Sequence, residues 1–319
     1  MRGLSLIHFA VAAMVTAALS GSPPARAQSL QTWVASNGMS TTCTRGAPCS
    51  SFQAAYTATS FGGEITCVDS GVFGGLTITH SITINCNGTN GTADGAVFNI
   101  NTSVTDVVVL RGLDFDGDGQ TTNGGQAGFI IFNGAGTLHV EKTTFNSIKG
   151  DRNSGIFFTP SGPAKLLVVD STITNIGTAG TAAGIYIKPS AGVAADISIQ
   201  RSRIDANFFG IIADGTGGGI IRGIVSDSFV TDNRNNGITV STSGSSTVLT
   251  VDNTRVSGNV FGLAAGGASA GLLVRRSIIN GNATGLFSTG GGALLSYRDN
   301  SVNANTTTDG AFTGIVNLQ

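Results

Sequence analysis

Charge is scarce in this chain. Asp, Glu, Lys and Arg together make up 11% of its 319 residues, less than half of the roughly 25% usual in soluble domains. No run of Lys or Arg occurs and the formal net charge is −1. The electrostatic footprint that draws a protein to nucleic acid is therefore missing. Histidines number 3 and cysteines 4, with no C-x-x-C pair, which argues against a zinc site. No repeat unit carries a ten-residue helical pattern, which excludes helical and leucine-rich arrays. Beyond the first 27 residues no stretch is long and apolar enough to span a membrane as a helix.

What the chain does have is glycine, 47 residues, about twice the ordinary share of ~7%. Hydrophobic residues still reach 40%, so low charge does not mean disorder. The composition describes a polypeptide with a core to bury and many tight corners to turn.

Residues 1–27 read as a signal peptide. Arg2 is followed by the apolar run "LSLIHFAVAAMVTAAL" and then by Ala25-Arg26-Ala27, an A-x-A cleavage pattern that leaves Gln28 as the mature start. The expected location is therefore exported, either periplasmic or secreted, with no transmembrane segment after cleavage. Export makes the cysteines legible as disulfides. Four cysteines allow three pairings. The preferred one joins Cys43 to Cys49 across a short Pro-containing loop and Cys67 to Cys86 between neighbouring strands; a metal site is the runner-up.

From residue 143 onward one phrase recurs. Its apolar anchors are Phe145, Ile173, Ile204, Val230, Val256, Ile279 and Val302, spaced 28, 31, 26, 26, 23 and 23 residues apart. Two residues before each anchor stands Thr143, Ser171, Ser202, Ser228, Thr254, Ser277 or Asn300. Three residues after it, in five consecutive repeats, come Asn207, Asn233, Asn259, Asn282 and Asn305, and a glycine follows. A period in the twenties that persists for seven units signals a solenoid. Its apolar runs are short, alternating and β-branched, and Gly, Asn and Ser punctuate them, which is the chemistry of strands and turns. The asparagines are expected to take left-handed backbone angles at a corner and to bond one another from coil to coil as a structural ladder. Just before the Ser/Thr column, Lys142, Asp170, Arg201, Asp227, Asn253, Arg276 and Asp299 nearly alternate in sign, so stacked coils would place opposite charges together.

"SSFQAAYTAT" (50–59) reads as a short helix capped by Ser50 or Ser51, with Phe52, Ala55, Tyr56 and Thr59 near one face. A capping helix covers the open end that a solenoid would otherwise expose. The expected domains are 1–27 signal peptide, 28–62 N-terminal arm and capping helix, and 63–319 parallel β-helix.

"APCSSFQAAYTATSFGGEITCVDSGVFGGLTITHSITINC", the units "DSTI", "RSRI" and "RSII", and the ending "LLSYRDNSVNAN" resemble the exported right-handed parallel β-helix repeat proteins of bacteria. The resemblance covers nearly all of the mature chain. It implies an all-β fold of about ten coils, shared with pectate lyases. It implies little about activity, because many members of that family have no assigned reaction and fold alone does not give function.

Candidate chemistry is sparse. "DFDGDGQTTNGG" places Asp114, Asp116, Asp118 and Gly119 like the opening of a calcium loop, but its twelfth position is Gly125 where a glutamate is needed. The plainer reading is a polar turn after the strand residues Leu113 and Phe115. Asp205 and Asp232 lie 27 residues apart, about one coil, and are the candidates for a carboxylate pair of the kind glycosidases use, with Asp214 and Asp227 as further options. The Asp-Asp and His-Gly dipeptides that mark β-helical polygalacturonases are absent, and no Arg has Pro two positions on, as pectate lyases show. His80 and His139 are isolated. Arg203, Arg222, Arg234 and Arg255 read as scattered solvated residues. Trp33, Tyr56, Tyr186 and Tyr297 are the aromatics that a sugar cleft would use, whereas the phenylalanines of "NFFG" and "NVFG" read as corner or core packing.

The function these features favour is a non-catalytic exported β-helix that interacts with a polysaccharide or a cell-surface component, without a cofactor. The alternatives are a polysaccharide lyase or glycosidase and a structural spacer. A binder should present aromatic platforms, a catalyst should converge several ionisable groups in one groove, and a spacer should do neither. The sequence leaves the oligomeric state open.

Overall fold

The computed structural model describes residues 28–93, 95–117 and 128–317. The signal-peptide segment and Asp118 lie outside them. Among the described residues there is one helix, and the strands form three sheets of twelve, ten and nine strands. Except at the two ends of the twelve-stranded sheet, each sheet collects every third strand, and every named pairing is parallel, so the chain is a parallel β-helix of about ten coils.

One coil shows the plan. Ala194–Gln200 lies in the twelve-stranded sheet, Arg203–Asp205 in the ten-stranded sheet and Phe209–Gly215 in the nine-stranded sheet; Ile220–Ser226 then returns beside Ala194–Gln200. The repeat anchors form one continuous inner column on the ten-stranded sheet, and it begins one coil before the recurring phrase does, at Phe115. Every anchor from Phe115 to Ile279 is fully buried. Each contributes ~1.5–3 kcal/mol of apolar burial, and the Phe115 and Phe145 rings stack at 5.0 Å.

The Ser/Thr column closes the corner between the twelve- and ten-stranded sheets. Each hydroxyl from Thr143 to Ser277 donates to the carbonyl two residues back at 2.7–2.9 Å. Each hydroxyl from Ser171 to Ser277 also accepts the backbone N–H of its counterpart one coil earlier. The residues just before that column, Lys142 through Arg276, have φ between 45° and 51° and turn the corner. Their charges meet as expected where Arg201 pairs with Asp170 at 2.8 Å. At Arg276 the neighbour in the column is the neutral Asn253, and the guanidinium turns instead to Asp252.

The second corner carries the asparagine ladder. Nδ2 of Asn207, Asn233, Asn259 and Asn282 donates to Oδ1 of the next asparagine at 2.9–3.1 Å. The backbone N–H of each donates to the same oxygen. The second amide hydrogen reaches back to the carbonyl of the preceding coil's anchor at 3.0–3.3 Å. Asn305 ends the series on Asp309, whose carboxylate accepts both its N–H and its Nδ2. The expected backbone angle, however, belongs to the residue before: Ser147, Asn175, Ala206, Asp232 and Ala304 have φ of 54–65°, with Gly258 and Gly281 in the same place. The asparagines are retained for their side chains, because a left-handed residue just before them turns the amide inward to where four bonds are available.

At the N-terminus, β1 (Ser29–Val34), α1 (Phe52–Ala58) and β2 (Thr59–Cys67) form the first coil and its cover. Ser51 caps α1, with Oγ accepting the Ala54 N–H at 3.2 Å, and Phe52, Ala55, Tyr56 and Thr59 are buried beneath it. Because β1 pairs in parallel with β2, the twelve-stranded sheet extends back through the segment read as an arm. Disulfides join Cys43 to Cys49 and Cys67 to Cys86, the latter linking β2 to the end of Ile82–Asn85. Two disulfides fit an oxidising compartment. Among the described residues no helix is long and apolar enough to cross a membrane.

Candidate functional site

Successive side chains of a strand point to opposite faces of its sheet. On the nine-stranded sheet Ile156 and Phe158 are in the core, so Phe157 between them faces outward. The register continues this outer line through Ile131, Phe157, Tyr186, Ile212, Thr239, Ala264 and Phe287. Phe157, Tyr186 and Ile212 form an apolar cluster separate from the core, with Ala183 between them and Ile131 and Phe209 packed against it. The Phe157 and Tyr186 rings stack at 5.2 Å and 5°. Further along the face Phe261 lies 4.7 Å from Phe287, which is 40% exposed.

A polar cluster borders these rings. Asp214, one coil above Lys188 by the pairing Ile187↔Ala213, accepts from the Tyr186 hydroxyl and from Lys188 Nζ, each at 2.8 Å. Its other oxygen takes the N–H and hydroxyl of Thr216. Burial by itself would raise the Asp214 carboxyl, but the bonds from Lys188, Thr216 and Tyr186 outweigh it and hold the carboxyl below its usual range. Burial, then the bond to Asp214 and its charge, push the Tyr186 phenol above its ordinary value. At neutral pH the pair is thus a carboxylate and a neutral phenol.

The residues singled out in the sequence scatter over other faces. Asp205 and Asp232 do come close, since Asp205 pairs in register with Thr231. Arg203 bonds Asp205 at 2.9 Å, and its guanidinium is raised by that bond, by the charge of Asp205 and by that of Asp232. Asp227 stands at an exposed corner beside the ten-stranded sheet, away from Asp214 on the nine-stranded one. Leu113–Asp116 is a strand, as the register requires, and Asp116 accepts from Asn146 at 3.3 Å. Among the described residues no group of three or more His, Cys, Asp or Glu is placed to hold a metal. His80 is enclosed between the Tyr56 and Phe61 rings at 4.5 and 4.1 Å. His139 lies 3.6 Å from Glu141, which Arg111 also holds. Arg222 pairs with Asp196. Trp33 is in β1, and Tyr297 lies under Arg275 at 5.8 Å.

Of the two places considered for the phenylalanines of "NFFG" and "NVFG", Phe209 and Phe261 take the corner: they are half-exposed at the start of their strands. The inner place at that corner belongs to the following glycines, Gly210 and Gly262, which face the ladder amides. Lys188 was not singled out at all, although the repeat spacing of 26 residues leads from it to Asp214.

The chain matches no known family model and no curated protein. Among solved structures it is similar to the crystal structure of pectate lyase Pel9A, at 16% identity and a TM-score of 0.42, over 86% of this chain and 70% of that one. The fold assignment stands on the strand pairing.

Proposed function

We propose that the protein is an exported, non-catalytic β-helix that presents the outer face of its nine-stranded sheet to a polysaccharide. The observation that carries this reading is the face itself. Phe157, Tyr186, Ile212, Phe209, Phe261 and Phe287 form an apolar and aromatic strip outside the core, bordered by the Asp214–Lys188 pair. Sugars offer apolar C–H faces ringed by hydroxyls, and such a strip with fixed polar groups at its edge suits both. Two disulfides and the apolar leader of residues 1–27 support export.

A glycan array probed with the purified chain, followed by product analysis on each hit, tests this. The expected result is retention of at least one polysaccharide with its length unchanged. Shortened or unsaturated products would replace the binder with a lyase or glycosidase, and an array without hits would leave a structural spacer.

A further inference from the structure

Asn37, Asn87, Asn90, Asn123, Asn133, Asn236 and Asn280 each precede a glycine. Asn123–Gly124 lies outside the described residues. In an Asn–Gly pair the glycine nitrogen can attack the asparagine side-chain carbonyl, since glycine has no side chain to hinder it. The attack requires the peptide plane between the two residues to turn. It is blocked wherever the fold ties that plane's N–H or C=O. Gly38 N–H donates to the Ala35 carbonyl at 2.9 Å, and Gly281 N–H to the Ala304 carbonyl at 3.1 Å. The Asn90 carbonyl accepts the Gly71 N–H at 3.0 Å, and the Asn133 carbonyl accepts the Ser161 N–H at 3.1 Å. Asn236–Gly237 opens the strand Asn236–Thr242, which is paired on both sides.

Asn87–Gly88 differs from all of these. The two residues are the centre of a turn closed by the Thr89 N–H on the Cys86 carbonyl at 3.0 Å, and Gly88 has φ of 89°. Among the described residues the Asn87 carbonyl, the Gly88 N–H and the Asn87 side-chain amide have no hydrogen-bond partner. Both residues are exposed, and nothing lies within 4 Å of where a Gly88 Cβ would stand. The plane can therefore turn without breaking a bond of the fold.

We infer that Asn87 is a site of spontaneous self-modification, with water as the co-reactant. The Gly88 nitrogen attacks Asn87 Cγ. The new C–N bond closes an imide ring, and the side-chain NH2 leaves as ammonia, taking the Gly88 amide proton with it. Water then opens the ring at either carbonyl and leaves an aspartate or its β-linked isomer. Nothing is oxidised or reduced. The product carries a new carboxylate in a corner hollow lined by Thr89, Asn90, Asp114 and Lys142. The chain thus gains a negative charge with age at a fixed place. Cys86 stands directly before the turn, and its disulfide to Cys67 keeps the two coils joined while the turn is altered.

Peptide mass mapping of the whole chain, aged in mildly alkaline buffer and sampled over weeks, tests this, with fragment ions to separate Asn87 from Asn90. Asn87 should convert at least about tenfold faster than Asn37, Asn90, Asn133, Asn236 or Asn280, because each of those must first open locally. An isoaspartate methyltransferase with a labelled methyl donor should mark the same peptide. Asn87→Gln, whose ring would be one atom larger and closes far more slowly, should lose both the conversion and the label there at an unchanged melting temperature. In the reduced chain held in urea the rates of these six asparagines should converge to within a few-fold. Conversion of Asn87 no faster than the others in the folded chain overturns the inference. So does a spread of rates that persists in urea, since the preference would then come from neighbouring sequence and not from the fold.

Discussion

Asn233→Ala lowers the unfolding free energy by about 3 kcal/mol, whereas Arg234→Ala, at the exposed neighbour, changes it by less than about 0.5 kcal/mol. Asn233 is 1% exposed and its side chain makes four hydrogen bonds. Without it the Asn207 N–H and Nδ2 lose their acceptor, and the Ile204 carbonyl and Asn259 Oδ1 each lose a donor. All of these groups are shut away from water, so none of the losses is made good by solvent. Asn233→Asp separates this cause from a cavity. It keeps the size and the acceptor but removes both donors and sets a carboxylate against two oxygens. It should cost at least as much as alanine. Urea unfolding followed by circular dichroism reads both variants. Because solenoid coils couple mainly to their neighbours, a split transition is a further expected sign of damage in mid-rod.

Gly237→Ala destabilises by about 2–3 kcal/mol. A Cβ there would stand 2.8 Å from the Gly262 carbonyl oxygen of the next coil and 2.9 Å from both Asn259 Nδ2 and Val256 Cγ1. The first is backbone, the second is a ladder amide and the third is β-branched core, so none can swing aside. The fixed glycine of the repeat is thus required by close approach between coils. Gly46→Ala is the control. Its Cβ meets nothing within 4 Å, and its melting temperature should stay within a degree or two of the parent's, against a fall of several degrees for Gly237→Ala.

Much of the architecture is legible in the sequence because stacking forces chemistry into columns. A buried amide that must bond its own kind one coil away leaves Asn at a fixed place, and a corner hydroxyl that serves two coils leaves Ser or Thr. The left-handed corner leaves no such trace. Ser147, Asn175, Ala206, Asp232, Gly258, Gly281 and Ala304 hold that angle, and they share no side-chain chemistry. The angle was therefore credited to the conspicuous asparagine beside them. The first ladder positions read Ile148 and Ile176, both buried, so apolar packing replaces the amides there and the motif fades toward the N-terminus.

The candidate site is harder to read, for a related reason. Outward residues are not constrained to match from coil to coil, so Phe157, Tyr186 and Ile212 share a line without sharing a type. Phe209 and Phe261 sit next to glycines of the repeat and were read with them as packing. Lys188 and Asp214 look unrelated until the 26-residue period is applied to them. Asp205 and Asp232 are brought to adjacent coils by the period, as expected, while the bond from Arg203, two residues before Asp205, is not marked by it.

The claim beneath all of this is that residues one repeat apart stand in vertical contact. Paired cysteines test it most directly. Arg255 and Ile278 are partners on adjacent strands of the ten-stranded sheet, and both are exposed. Phe229 and Ile278 lie on the same line two coils apart, about 9–10 Å, beyond the ~7 Å reach of a disulfide. Under mild oxidation Arg255→Cys with Ile278→Cys should cross-link within the chain, as peptide mass mapping will show, while Phe229→Cys with Ile278→Cys should not. Equal cross-linking of both pairs, or of neither, would contradict the stacked coils and the face built on them.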